Sequence, residues 1–198
     1  MEQRNLVGSG GRRSGVALSR GVARPVARLG ADVVKEQRVG VFVDVANMYY
    51  SARGLYGTKV NFNELLKEAV RGRKLVRAIA YAVRAGEKDE DAFYKALESF
   101  AYEVRLKDLQ VFFDGSKKAD WDIGIAMDAV EMAPKLDTVV LVSGDGDFVP
   151  MVEHLRRALG CRVEVMAFGR SASAKLVEAA NRFADMDGNK GLLLPKKV

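Results

Sequence analysis

Four short, largely apolar runs rich in β-branched residues recur along this chain: Val39 to Val43, Val76 to Val83, Thr138 to Val142 and Arg162 to Phe168. Runs of this length without strict polar alternation are what strands covered on both faces require. Patterns of helical period separate them, at Asn63 to Val70, Asp89 to Phe100, Asp122 to Ala133, Phe148 to Leu159 and Ser173 to Arg182. A less regular piece at Tyr102 to Phe113 reads as a further strand or a hairpin. Strands alternating with helices need right-handed βαβ crossovers, so the expected fold is α/β, a parallel sheet sandwiched by helices in a single domain. The order of the strands is not legible at this level.

Ligands of such sheets bind beyond the carboxyl ends of the strands. Asp44 directly follows the first run, Asp145 and Asp147 follow the third, and Asp122 opens a helix. Two carboxylates about 5 Å apart repel by about 3 kcal/mol at an effective dielectric of about 20, so a cluster of four asks for a cation. A set of hard carboxylate ligands points to hard-metal chemistry. Asn47, three residues past Asp44, reads either as the N-cap of the following helix or as a site residue. In the segment Ser143 to Phe148, SGDGDF, Asp147 alone could be a cap, but a cap does not account for Asp145 as well. The segment is not a dinucleotide fingerprint, because the third glycine position holds Val149, and no Walker sequence occurs.

On the helix that opens at Asp122, the residues Ile123, Ala126, Met127 and Val130 read as its buried stripe. Asp120 and Asp128 read as surface acids or caps, and Asp128 lies about 120° around the helix from Asp122. Met127, Met132, Met151 and Met166 are expected as core filler. His154 has no second histidine to join in a zinc set, and Cys161 has no activating partner. Lys117, Lys118, Arg170, Ser171 and Ser173 are candidates for phosphate contacts on one rim, with Lys118, Arg170, Ser171 and Ser143 the chosen substrate contacts. Ser171 or Ser173 could instead cap the last helix. Trp121 and Tyr49 could stack a base or pack beside the site.

The net charge of +6 is uneven. Residues 1–38 hold eight basic residues against Glu2, Asp32 and Glu36, which leaves +5 in that segment and about +1 in the rest. Its glycines and lack of periodicity predict a flexible basic tail that favours a polyanion partner. It shares arginine richness with organellar transit peptides but lacks their amphipathic pattern. No run of 18 apolar residues occurs, so no membrane helix is expected, and a lone Cys161 points to a reduced, cytoplasmic setting. Residues 188–198 are expected to be a loose end.

The segments FVDVANMYY, DWDIGIAMDA and VSGDGDFVPMVEHLR resemble the NYN domain, the LabA-like branch of the PIN-like nucleases, over Arg38 to Asp187. The resemblance implies a PIN-like parallel sheet and an acidic Mg²⁺ or Mn²⁺ site that cleaves RNA. The family's strand-end Asp corresponds to Asp44, its Asn to Asn47, its helix-start Asp to Asp122, its second helix Asp to Asp128, and its acidic loop to Ser143–Phe148. The expected function is a metal-dependent endoribonuclease with Asp44, Asp122, Asp145 and Asp147 as ligands and RNA as partner. One alternative is a non-catalytic NYN-type module that binds RNA or protein, with a protein partner or homo-oligomer. The other is a metal-dependent phosphotransfer or toprim-like enzyme, although Asp44 stands where toprim sites begin with Glu and Ala46 where a haloacid-dehalogenase-type phosphatase has its second Asp.

Overall fold

The computed structural model describes residues 35–86, 89–111, 113 and 117–195. The tail expected for residues 1–38 therefore lies, up to residue 34, outside the described residues, as does part of the Tyr102 to Phe113 piece. Arg38 itself belongs to the fold. Its backbone N–H donates to Asp137 at 2.7 Å and its guanidinium pairs with the same carboxylate.

Along the chain come β1 (Arg38–Asp44), α1 (Val45–Tyr56), α2 (Phe62–Val70), β2 (Lys74–Arg84) and α3 (Glu90–Ser99). They are followed by β3 (Glu103–Asp108), a two-stranded hairpin of β4 (Gln110–Val111) and β5 (Lys117–Lys118), and α4 (Asp122–Met132). Last are β6 (Thr138–Val142), α5 (Val149–Arg157), β7 (Arg162–Ala167), α6 (Ala174–Ala179) and β8 (Arg182–Asp185). Six strands form one sheet in the order β3-β2-β1-β6-β7-β8, all parallel. From β1 the chain builds outward to β3; it then returns to lay β6 on the other side of β1 and builds outward to β8. The switch point falls between β1 and β6, where flanking connections run to opposite faces and a crevice opens at the carboxyl edge.

The pleat sorts the core into two layers. Val39, Val41 and Val43 of β1 pack with Met48, Ala52, Leu65 and Leu97 of α1 to α3. Phe42, with Val139 and Leu141 of β6, packs with Ile125 and Ala129 of α4 and Val152 and Leu155 of α5. Every residue of β6 is buried, as a central strand covered on both faces demands. Gly40 is required by close packing, because a Cβ there would lie 2.5 Å from Leu136 Cδ1.

Several sequence expectations need correction. The pattern from Ser173 to Arg182 is not one helix: α6 ends at Ala179 and Arg182–Asp185 joins the sheet as β8. Asn181 causes the break, its N–H donating to Val163 O and its Oδ1 accepting from Val163 N, both at 2.9 Å, which draws the chain onto the edge of β7. The stripe assigned to α4 is rotated, since Ile125, Ala129 and Met132 are buried while Ile123 and Met127 are 77% and 64% exposed. Met127 is thus not core filler, whereas Met132, Met151 and Met166 are buried. The expected loose end at residues 188–198 is, as far as Pro195, tied down. Leu192 is buried, Asn61 N–H donates to Leu192 O, and Leu194 N–H donates to Lys59 O.

Candidate metal centre

At the switch point β1 ends in Asp44 and β6 leads into Ser143, so both loops emerge side by side at the carboxyl edge. Asp44 is the N-cap of α1: its Oδ1 accepts from Asn47 N–H at 2.9 Å. The cap expected of Asn47 therefore belongs to Asp44, for the chain turns helical at once on leaving the strand. Asn47 has a different task. Its Oδ1 accepts from Gly144 N–H at 3.0 Å, tying α1 to the loop after β6. Ser143, fully buried, lies 3.4 Å from Asp44 Oδ2 and accepts from Asp145 N–H at 3.2 Å.

Asp145 caps the 3-10 turn Gly146–Phe148 by accepting from Asp147 N–H at 2.9 Å, which removes the cap role considered for Asp147 and leaves that side chain exposed. The two glycines of this loop have no positive φ; small size is what they supply. A Cβ on Gly144 would lie 3.1 Å from Ala172 Cα, and one on Gly146 would lie 2.8 Å from Ser173 Oγ. The β7–α6 loop thereby closes on the acidic loop, with Ser173 N–H donating to Gly144 O at 2.9 Å.

Across the crevice, α4 brings in Asp122 at its first turn. Asp122, Asp145 and Asp147 each present a carboxylate oxygen, all within 4.8 Å of one another. Asp44 stands outside this trio but is close enough for its charge to act on Asp122. Burial, reinforced by Asp145, Asp44, Asp120 and Asp147, pushes the Asp122 carboxyl up to about 6. Burial also raises Asp44, against the hydrogen bonds from Asn47 and Ser143. Oxygens on opposite sides of an octahedral Mg²⁺ lie about 4 Å apart, so this donor set of hard anionic oxygens fits a divalent cation with little adjustment. A cation there would also offset the repulsion among these carboxylates.

The other predicted residues divide. Asp128 does not face the trio: it accepts from Tyr81 OH at 2.6 Å and pairs with Arg105, on the sheet side of α4. Arg170 is drawn to the end of β8, over the Tyr56 ring at 4.7 Å and 3.5 Å from Asp187. Ser171 bonds Ser51 Oγ at 3.1 Å and Phe168 O at 3.3 Å, and neither it nor Ser173 caps α6 through its side chain. Lys117 and Lys118 form β5, and their side chains lie outside the described part. Trp121 packs 5.3 Å from Tyr81 and donates to Ala82 O at 2.9 Å, while Tyr49 accepts from Arg53 at 2.8 Å. The aromatic ring left open on α1 is the neighbouring Tyr50, 70% exposed, which sequence reading passed over because nothing in a lone tyrosine signals its facing. His154 is exposed and Cys161 is buried, its thiol pushed up by burial. Among the described residues no helix is long and apolar enough to cross a membrane.

A doubly wound parallel sheet with a carboxylate trio at its switch point defines a PIN-like domain. The NYN domain model matches residues 38–187, three-quarters of the chain, and the protein belongs to the NYN domain family. It is 30% identical over 161 residues to the low amplitude and bright protein LabA of Synechococcus elongatus, an alignment covering 77% of this chain and 86% of that protein. A crystal structure of a protein of unknown function from Vibrio parahaemolyticus superposes with a TM-score of 0.75 at 35% identity, covering 81% of this chain and 98% of that one.

Proposed function

We propose that this protein is a metal-dependent endoribonuclease. The observation that carries the reading is the convergence of Asp122, Asp145 and Asp147 beside Asp44, with Asp122 pushed up to about 6 by burial and by these neighbouring acids. Asp122, Asp145 and Asp147 would hold Mg²⁺ or Mn²⁺, with Asp44 completing the acidic field. A divalent ion in such a set polarises a scissile phosphate and makes a bound water acidic enough to attack it. The chain's own contribution is rigidity. Asn47 and Ser143 lock the two strand-end loops together, so the carboxylates face each other before any ligand arrives, and little reorganisation is left for the reaction.

The test is cleavage of end-labelled single-stranded RNA by wild type and Asp145→Asn in Mn²⁺, Mg²⁺ and EDTA. Cutting that needs metal, leaves 5′-phosphate ends and disappears in the variant is the expected result. Only 2′,3′-cyclic phosphate ends would sink the hydrolytic mechanism. If neither form cuts and both bind RNA, the protein is a binding module instead.

A further inference from the structure

The opposite edge of the sheet carries a second concave site of contrary charge. Arg156 and Arg157 close α5, Gly160 and Cys161 turn the chain, and Arg162 begins β7; with Asn181 they line a cleft of about 380 Å³. Gly160 has φ 64°, and a Cβ there would meet no atom within 4 Å, so the cleft is open at this turn. The six residues of β7, at about 3.3 Å each, put roughly 20 Å between this cleft and the acidic crevice.

The lining is rich in donors. Among the described residues no carboxylate lines it. Arg156 gives one Nη group to Ala179 O, but its Nε is buried and donates to no acceptor among the described residues. Leaving a buried donor unmet carries a desolvation cost. Asn181 accepts from Val163 N–H through Oδ1, which leaves its amide N–H groups as donors. Arg157 uses Nη2 on Glu153, and Arg162 uses Nε on Glu164, leaving the remaining guanidinium donors of each. The nearby acids are already committed. Glu164 alone serves Arg73, Arg162 and Arg182. Five arginines in this region face Glu68, Glu153 and Glu164, and Asp137, whose charge acts on Cys161, is paired with Arg38, so positive charge remains in excess.

We propose that this cleft binds a phosphate-bearing ligand of nucleotide size. Guanidinium forks match phosphate oxygens in pairs, and the volume exceeds what a lone carboxylate needs while lying within the range of small-ligand sites. The phosphates could belong to a free nucleotide or to an RNA backbone that also reaches the acidic crevice. The site does not depend on the nuclease reading.

Isothermal titration of the full chain with inorganic pyrophosphate in EDTA tests it, since without divalent ions the acidic crevice repels this probe. Wild type and Asp145→Asn should bind alike. Arg157→Glu, at a side chain that is 77% exposed, and Arg156→Gln should each weaken binding at least about tenfold while melting cooperatively. No binding by wild type at millimolar pyrophosphate, or unchanged affinity in both arginine variants, overturns the proposal. A second arm uses fluorescein-labelled single-stranded RNA in EDTA. Displacement by pyrophosphate, with weaker RNA binding by Arg157→Glu, identifies the RNA backbone as the source. Loss of pyrophosphate affinity with RNA binding untouched identifies a free nucleotide.

Discussion

At the scale of single residues, the acidic crevice trades stability for charge. An acid whose carboxyl is raised from 3.8 to about 6 in the folded state destabilises that state increasingly as pH rises across this interval. The shift sets a ceiling of about 3 kcal/mol, which solvent screening at this partly exposed group reduces to about 1–2 kcal/mol. Asp122→Asn should therefore raise Tm in EDTA at pH 7, and the gain should vanish near pH 4. The same substitution should weaken Mn²⁺ binding, so added Mn²⁺ should stabilise wild type more than the variant. Thermal melts across pH, with and without Mn²⁺, check both halves; an Asp122→Asn protein no more stable than wild type in EDTA would show that the carboxylates do not strain the fold.

At the scale of elements, the cross-tie between α2 and β7 is a buried ion pair. Arg73 forks onto Glu164 at 3.1 and 3.2 Å and also donates to Ala69 O and Val70 O, closing the carboxyl end of α2. Removing one partner of such a pair strands the other charge, so Glu164→Gln should lose about 3–5 kcal/mol in denaturant unfolding. Burial pushes the Glu164 carboxyl up, but Arg73, Arg162 and Arg182 together outweigh it and hold the group below its ordinary 4.5. Its contribution is therefore complete above that value and is lost as pH falls through the lower folded-state value. The gap between wild type and Glu164→Gln should narrow below about pH 4.5. A gap that stays constant to pH 3 would assign the loss to packing. The sequence shows a glutamate among the apolar residues of β7 but not its partner, which lies 91 residues away.

At the scale of the whole molecule, charge is divided between a nearly neutral domain and a basic segment. Residues 1–34 carry six arginines against Glu2 and Asp32. If these arginines neutralise RNA phosphates, each contact contributes about −0.7 to the slope of log affinity against log salt for a single strand. Deleting residues 1–34, which leaves the Arg38–Asp137 contact intact, should weaken RNA binding at low salt and flatten that slope by about 2–4. The same slope in both forms would exclude the segment as an RNA arm.

The chain's own pattern was enough for the class of fold and for the acidic residues, because strand burial on both faces and carboxylate repulsion are local consequences of residue type. Asp44, Asp122, Asp145 and Asp147 could each be named from position alone. Which of them converge could not. The strand order placed Asp44 beside the loop after β6, and the same geometry turned Asp44 into a cap and Asn47 into the tie to Gly144. Periodicity misjudged α4, whose apolar residues exceed what one buried stripe can hold, so packing against β1 and α5 alone decided that Ile125 faces inward and Ile123 and Met127 outward. It also missed β8, because Asn181 pairs with Val163, a residue 18 positions earlier. Composition and spacing act over a few residues, whereas facing, pairing and the joining of distant charges depend on which surfaces the closed fold brings within a few ångströms.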